Sequence, residues 1–101
     1  MSQVYVAVSE ITVPDAGVAA LTTSFRSRLG AVDAWPGFLG LEVLQSRRRP
    51  EEFLMITRWK SRAHFLAYMR SPDHRASHAR IPRGPHRARG VGFDDYHLVA
   101  Q

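Results

Sequence analysis

The stretch from Gln3 to Val13 alternates through β-branched residues and is apolar on both of its sides. Tyr5, Ala7, Ser9, Ile11 and Val13 share one face, while Val4, Val6 and Val8 share the other before Glu10 and Thr12 turn it polar. Successive side chains of a strand point in opposite directions, so a strand written this way needs cover above and below. Whatever this chain folds into has to supply both covers.

The remaining segments divide into helical and extended pieces. Pro14-Asp15-Ala16-Gly17 is a turn that starts a helix, on which Val18, Leu21, Phe25, Leu29 and Val32 recur every three or four residues with Arg26 and Arg28 pointing elsewhere. Pro36-Gly37 ends the connection, and Phe38 to Ser46 reads as a second strand with Leu39, Leu41 and Val43 on one side. Arg47-Arg48-Arg49-Pro50-Glu51 is a polar turn, and Glu52 to Trp59 is a third strand, so the short link makes a hairpin. Ser61 caps a helix carrying Phe65, Leu66, Tyr68 and Met69, and Ser71-Pro72 caps and starts a further short turn of helix running through His78. Ile81 to Gly90, with two prolines and two glycines, is a loop. Val91 to Ala100 closes the chain as a strand with Val91, Phe93, Asp95, His97 and Val99 on one face.

The order β-α-β-β-α-β predicts a ferredoxin-like α+β unit, a four-stranded antiparallel sheet with its helices on one face. The 101 residues are expected to form one domain. Helices on one side leave the Val4, Val6, Val8 side bare, and so apolar a face predicts a homodimer that packs sheet against sheet. No apolar run reaches 18 residues and no basic-then-apolar leader is present, so a cytoplasmic protein without a membrane partner is expected. The absence of cysteine excludes disulfides, thiolate zinc sites, iron-sulfur clusters and a cysteine nucleophile, leaving histidine or oxygen to hold any metal.

Pro36-Gly37-Phe38-Leu39-Gly40 running into a strand, and Phe53-Leu54-Met55-Ile56-Thr57-Arg58-Trp59-Lys60-Ser61 leading to Phe65 and Tyr68, resemble the antibiotic biosynthesis monooxygenase superfamily over essentially the whole chain. The resemblance implies a dimeric α/β barrel of ferredoxin-like protomers. It also implies one of two oxygen chemistries, haem binding and degradation or cofactor-independent oxidation of an aromatic polyketide-like substrate. A non-catalytic ligand-binding module on the same scaffold is a third possibility. Aligned with the haem-degrading branch, His78 falls on that branch's axial histidine, Tyr68 replaces its tryptophan and Ser9 replaces its asparagine. The resemblance thus assigns haem as the cofactor, His78 as the ligand of its iron, Tyr68, Ser9 and Trp59 to the chemistry, and Arg70 and Arg75 to the cofactor's acidic edge.

The residues read by themselves allow each role and a plainer one beside it. A neutral imidazole at His78 can give one bond to haem iron, or be a solvent-exposed side chain on a polar helix. His74, four residues earlier, makes a two-histidine clamp conceivable without a third ligand nearby. Tyr68 offers a hydroxyl to a substrate or sits as an amphipathic core residue. Ser9 bonds a ligand oxygen or its own backbone, and Trp59 lines a pocket or packs the core. Six of the thirteen arginines lie between Arg70 and Arg89 against the single acid Asp73, an excess suited to carboxylates, phenolates or phosphates. No aromatic is interleaved among them, so nucleic acid is set aside in favour of a small aromatic or haem ligand, with a solvated loop as the plain alternative.

Overall fold

The computed structural model describes residues 3–28, 30–79 and 83–101. Its elements are β1 (Tyr5–Thr12), α1 (Val18–Arg26), β2 (Phe38–Gln45), β3 (Glu52–Trp59), α2 (Arg62–Met69), α3 (Pro72–Ala79) and β4 (Arg89–His97), with 3-10 turns at Asp15–Gly17 and Ala31–Ala34. The strands form one sheet in the order β2-β3-β1-β4, every neighbouring pair antiparallel. This is the ferredoxin-like α+β arrangement, and β1, the strand with two apolar faces, pairs on both of its edges. Among the described residues no helix is long and apolar enough to cross a membrane.

Local chemistry explains the joints. Gly37 has φ +81, a conformation that favours glycine, and it sits as the third residue of a tight turn closed by Phe38 N–H donating to the Trp35 carbonyl at 3.0 Å. The Gly37 carbonyl then accepts from Lys60 N–H at 2.7 Å, tying the turn to the end of β3, while the His64 ring lies where a side chain at Gly37 would go. Ser61 caps α2 by accepting from His64 N–H, and its Oγ also meets His64 Nδ1 at 2.6 Å. Ser71, buried between α2 and α3, donates to the Tyr68 carbonyl at 2.6 Å and accepts from His74 N–H at 3.2 Å, so one hydroxyl joins the two helices.

Three expectations are corrected. The first helix stops at Arg26, where Ser27 N–H closes on the Thr23 carbonyl, and Val32 reaches the core from the separate 3-10 turn Ala31–Ala34. Leu29 lies outside the described residues. A bulge between Phe38 and Gly40 puts Phe38, Leu41 and Val43 over the helix side of β3, and Leu39 is left 48% exposed. The last strand runs from Arg89 to His97, so Arg89 and Gly90 belong to it and not to the preceding loop; Ile81 of that loop lies outside the described residues.

The core falls into two clusters on the helix side of the sheet. Tyr5, Ala7, Val32, Trp59, Phe65 and Tyr68 form one, and Val13, Leu21 and Phe53 the other. Trp59 is the hub of the first: its ring centroid lies 5.2 Å from Phe38, 5.9 Å from Phe65 and 5.5 Å from Tyr68, and only 1% of it is exposed. Phe and Trp truncations at such sites remove transfer energy and leave a void. Trp59→Ala is therefore expected to cost about 3–5 kcal/mol in urea unfolding, and Trp59→Phe distinctly less. A loss below about 1 kcal/mol for the alanine variant would contradict this placement.

Candidate functional site

The space between the two clusters is empty because the side chains at that level are short. Along β1 the sequence passes from Tyr5 and Ala7 in one cluster, through Ser9, to Val13 in the other. Along β3 it passes from Trp59 through Thr57 and Met55 to Phe53, and the register sets Ser9 opposite Met55 and Ala7 opposite Thr57. A cavity of about 210 Å³ opens at this layer, floored by the sheet and roofed by Phe25, Phe65, Tyr68 and α3. A second recess of about 350 Å³ shares Ser9, Phe25, Met55 and His78 with it and runs towards residues 83–90.

Three proposed residues meet here as the sequence expects: Ser9, Tyr68 and His78 all line the cavity. Among the described residues the Ser9 and Tyr68 hydroxyls have no protein partner, which leaves both open to a ligand. Trp59 also borders the space, yet its only donor is taken, since the indole N–H donates to Thr57 Oγ1 at 3.0 Å; it shapes the wall and offers a ligand no hydrogen bond. Arg70 and Arg75 are not in the lining. Arg70 caps the C-terminus of α2, and Arg75 follows His74 by one residue, about 100° around the helix, and is exposed. Arg28 takes the place expected of them: it lines the cavity and donates to Asp33 Oδ1 at 2.8 Å. It lies beyond the end of α1, so the helical phase that turned it away does not apply.

The imidazoles extend the aromatic core to the mouth of the cavity. His74 stands edge-on to Tyr68 at 5.3 Å, and His78 edge-on to His74 at 4.8 Å, the four-residue spacing setting both on one side of α3. Burial holds the His74 imidazole below its ordinary pKa, the neighbouring His78 charge adds to this, and a hydrogen bond with the Met69 backbone opposes it. His74 is thus a neutral base in an apolar place at neutral pH. Phe93, missed by the sequence reading as a site residue, stacks on Phe65 at 6.1 Å and 16° and closes another wall, although 56% of it remains exposed. Its place was available from the alternation of the last strand, which sets it across from Ser9.

Residues 4–80 match the family described as Antibiotic biosynthesis monooxygenase. The chain is 36% identical over 55 residues to the heme-degrading monooxygenase of Bacillus anthracis (strain A0248), a match taking in 52% of this chain and 51% of that protein. It is 34% identical over 67 residues to the mycobilin-producing heme oxygenase of Mycobacterium tuberculosis, over 66% of this chain and 64% of that one. The matched segment therefore spans about half to two thirds of the length of these relatives. Among solved structures, a heme-degrader from Mycobacterium tuberculosis with two hemes bound in its active site superposes with a TM-score of 0.78 at 30% identity, covering 96% of this chain and 97% of that chain. The fold alone is shared with a Pseudomonas aeruginosa protein at TM-score 0.75 and 22% identity.

The electrostatics of the histidine pair are measurable. In proton NMR titration the His74 ring is expected to ionise below 6.5, and His78→Ala is expected to raise it without bringing it back to 6.5, because burial is the larger cause. The unfolded chain then binds this proton more readily than the folded one. Stability gained from His74 is complete above about 6.5 and is lost as pH falls from there through the folded value. A His74 that titrates above 6.5 would refute the assignment.

Proposed function

Because the chain belongs to the antibiotic biosynthesis monooxygenase family, we propose that it is an oxygen-using monooxygenase whose ligand is haem or a haem-like macrocycle, held through His78. The observation that carries this reading is His78 itself, an exposed imidazole at the junction of two recesses, one walled by aromatic rings, in a chain similar over nearly its whole length to a heme-degrader. The donor set suits such a group. Among the described residues no three metal-ligating side chains converge, so a bare ion lacks a cage, whereas a haem iron, already held by its macrocycle, would need one protein donor, which His78 would supply.

Bound haem would supply the iron at which oxygen is activated and the porphyrin carbon that is oxidised. The chain's own residues bind and orient. The apolar walls of Met55, Leu41, Phe65 and Phe93 exclude water and accept a flat ring system. His74 packs edge-on against both Tyr68 and His78, giving the exposed His78 ring one contact that favours its observed orientation. The Ser9 and Tyr68 hydroxyls are among the donors available to oxygen or to a carbonyl inside the cavity. Tyr68 is itself packed against Trp35, Trp59 and His74, so three rings hold it in place at the cavity wall.

Hemin titration followed at the Soret band tests the reading. Saturable binding is expected in the unaltered protein and loss of the axial-ligand spectrum in His78→Ala. Reductant and oxygen should then bleach the band. Absence of saturable binding in the unaltered protein would overturn it. One observation favours a second reading, direct oxidation of an electron-rich phenol or enol: His74, held neutral in an apolar setting, is suited to take a proton from such a substrate. Oxygen uptake with phenols and without hemin separates the two.

A homodimer belongs to the same proposal. The face of the sheet away from the helices carries Val6, Val8, Leu44, Leu54 and Ile56, with Leu44 46% and Leu54 36% exposed, around a cross-strand ion pair of Arg58 with Glu42. A second copy packed on this face would supply the cover that β1 demands. Sedimentation is expected to give a dimer, and Leu54→Glu with Ile56→Lys to give a folded monomer. A monomeric unaltered protein would refute it.

A further inference from the structure

The second recess has a wall that the ring-shaped ligand alone does not explain. Its floor is apolar, made by Ile11, Leu21, Phe25 and Ala88, but its rim holds Arg83, Arg87 and Arg89. None of the three forms an ion pair among the described residues, whereas Arg28, Arg49, Arg58 and Arg62 each face a carboxylate. Like charges gathered without counter-charge repel one another, a cost that an arriving anion removes. The segment packs closely against the turn before α1. Gly17 lies so close to the His86 carbonyl that any side chain there would collide with it, and Arg87 N–H donates to the Gly84 carbonyl at 3.2 Å to close a turn. Three arginines of one short stretch thus line one recess, which shares His78 with the inner cavity.

We infer that this recess is an anion-binding subsite, and that the natural ligand is an amphiphile: an apolar aromatic body in the inner cavity and an acidic head, carboxylate or phosphate, at Arg83, Arg87 and Arg89. The inference rests on the reading of the inner cavity as the ligand site, and it names the charge that ligand carries. Planar forked donors match planar carboxylates and phosphate faces, which explains arginine at all three positions. The apolar floor separates this site from a surface that merely attracts polyanions, because it accepts the portion of the ligand next to the acid group.

A pair of fluorescent probes differing in one charge tests it on the whole chain. 8-Anilinonaphthalene-1-sulfonate carries an acidic head on an aromatic body, and N-phenyl-1-naphthylamine is the same body without it. The unaltered protein is expected to bind the sulfonate about tenfold or more tighter, in line with charge-assisted hydrogen bonds. The variant Arg83→Ser, Arg87→Ser, Arg89→Ser should bring the two affinities to within about twofold while leaving the neutral probe unchanged, which also reports that the cavity is folded. Arg87→Gln alone should lose about threefold for the sulfonate only, a check that survives if the triple variant folds poorly. Arg26→Ser, Arg47→Ser, Arg48→Ser removes the same charge elsewhere and should keep the tenfold preference. Equal affinities in the unaltered protein, or equal losses in the two triple variants, would overturn the subsite. Hemin failing to bind while the sulfonate preference persists would remove the haem reading and leave this one standing; hemin binding with no preference would do the reverse.

Discussion

The packing of Trp59 is the contact on which the other parts depend. It is the last residue of β3, and the register sets it beside Tyr5 of β1 and Phe38 of β2. Its ring also meets Phe65 and Tyr68 of α2, so one side chain sets the spacing of three strands and the height of a helix above them. Interiors are packed as densely as organic crystals, and a ring of that size held from all sides allows little adjustment. The position of Tyr68 follows from it, and with Tyr68 the position of His74 and His78. The site is thus hung from the core by a succession of rings.

The cavity is the complement of that packing. A sheet covered by helices usually fills the gap with large side chains, and here the layer between the two clusters holds Ser9 and Thr57 beside the unbranched Met55. Bulk at either end keeps the helices from settling onto the sheet, and small residues between leave room. Such a void costs stability in an isolated protein, since the lining atoms lose dispersion contacts, and a bound ligand restores them. The cavity and the stability of the fold are therefore linked: a chain that kept the aromatic hub but filled the Ser9 layer would be more stable and would bind less.

Much of this was legible in the sequence where the signal is periodic or chemically specific. The strands at Glu52–Trp59 and Tyr5–Thr12, the caps at Ser61 and Ser71 and the turn at Pro36-Gly37 each have a local cause. What was not legible arises from departures from regular geometry. The bulge at Phe38 exchanges the places of Leu39 and Phe38, and an alternation pattern cannot register one added residue. The end of α1 at Arg26 frees Arg28 from the helical phase and turns it to the cavity, while helical spacing alone turned it away. Ser9, Tyr68 and His78 line one cavity, a placement on which the family alignment and the strand and helix phases agree. Arg70 and Arg75 were misplaced because charge density in sequence says nothing about which side of a helix faces the site.

The division of polar groups around the cavity gives it a direction. Inside, rings and aliphatic chains attract any flat apolar body without preferring one end of it. At the mouth, the charges differ: Arg28 is neutralised by Asp33, while Arg83, Arg87 and Arg89 form no ion pair among the described residues. With a formal net charge of +5, anions are drawn to the molecule at long range, but a field screened over about 8 Å at physiological salt cannot by itself orient what it attracts. On the proposed reading, orientation would come from Arg83, Arg87 and Arg89, which form no ion pair among the described residues. His78 borders both spaces, so a body that enters head towards the arginines necessarily lies against this imidazole. On the proposed reading the arginines would act on the chemistry by deciding which part of the ligand rests beside His78, without needing to touch the reacting atoms.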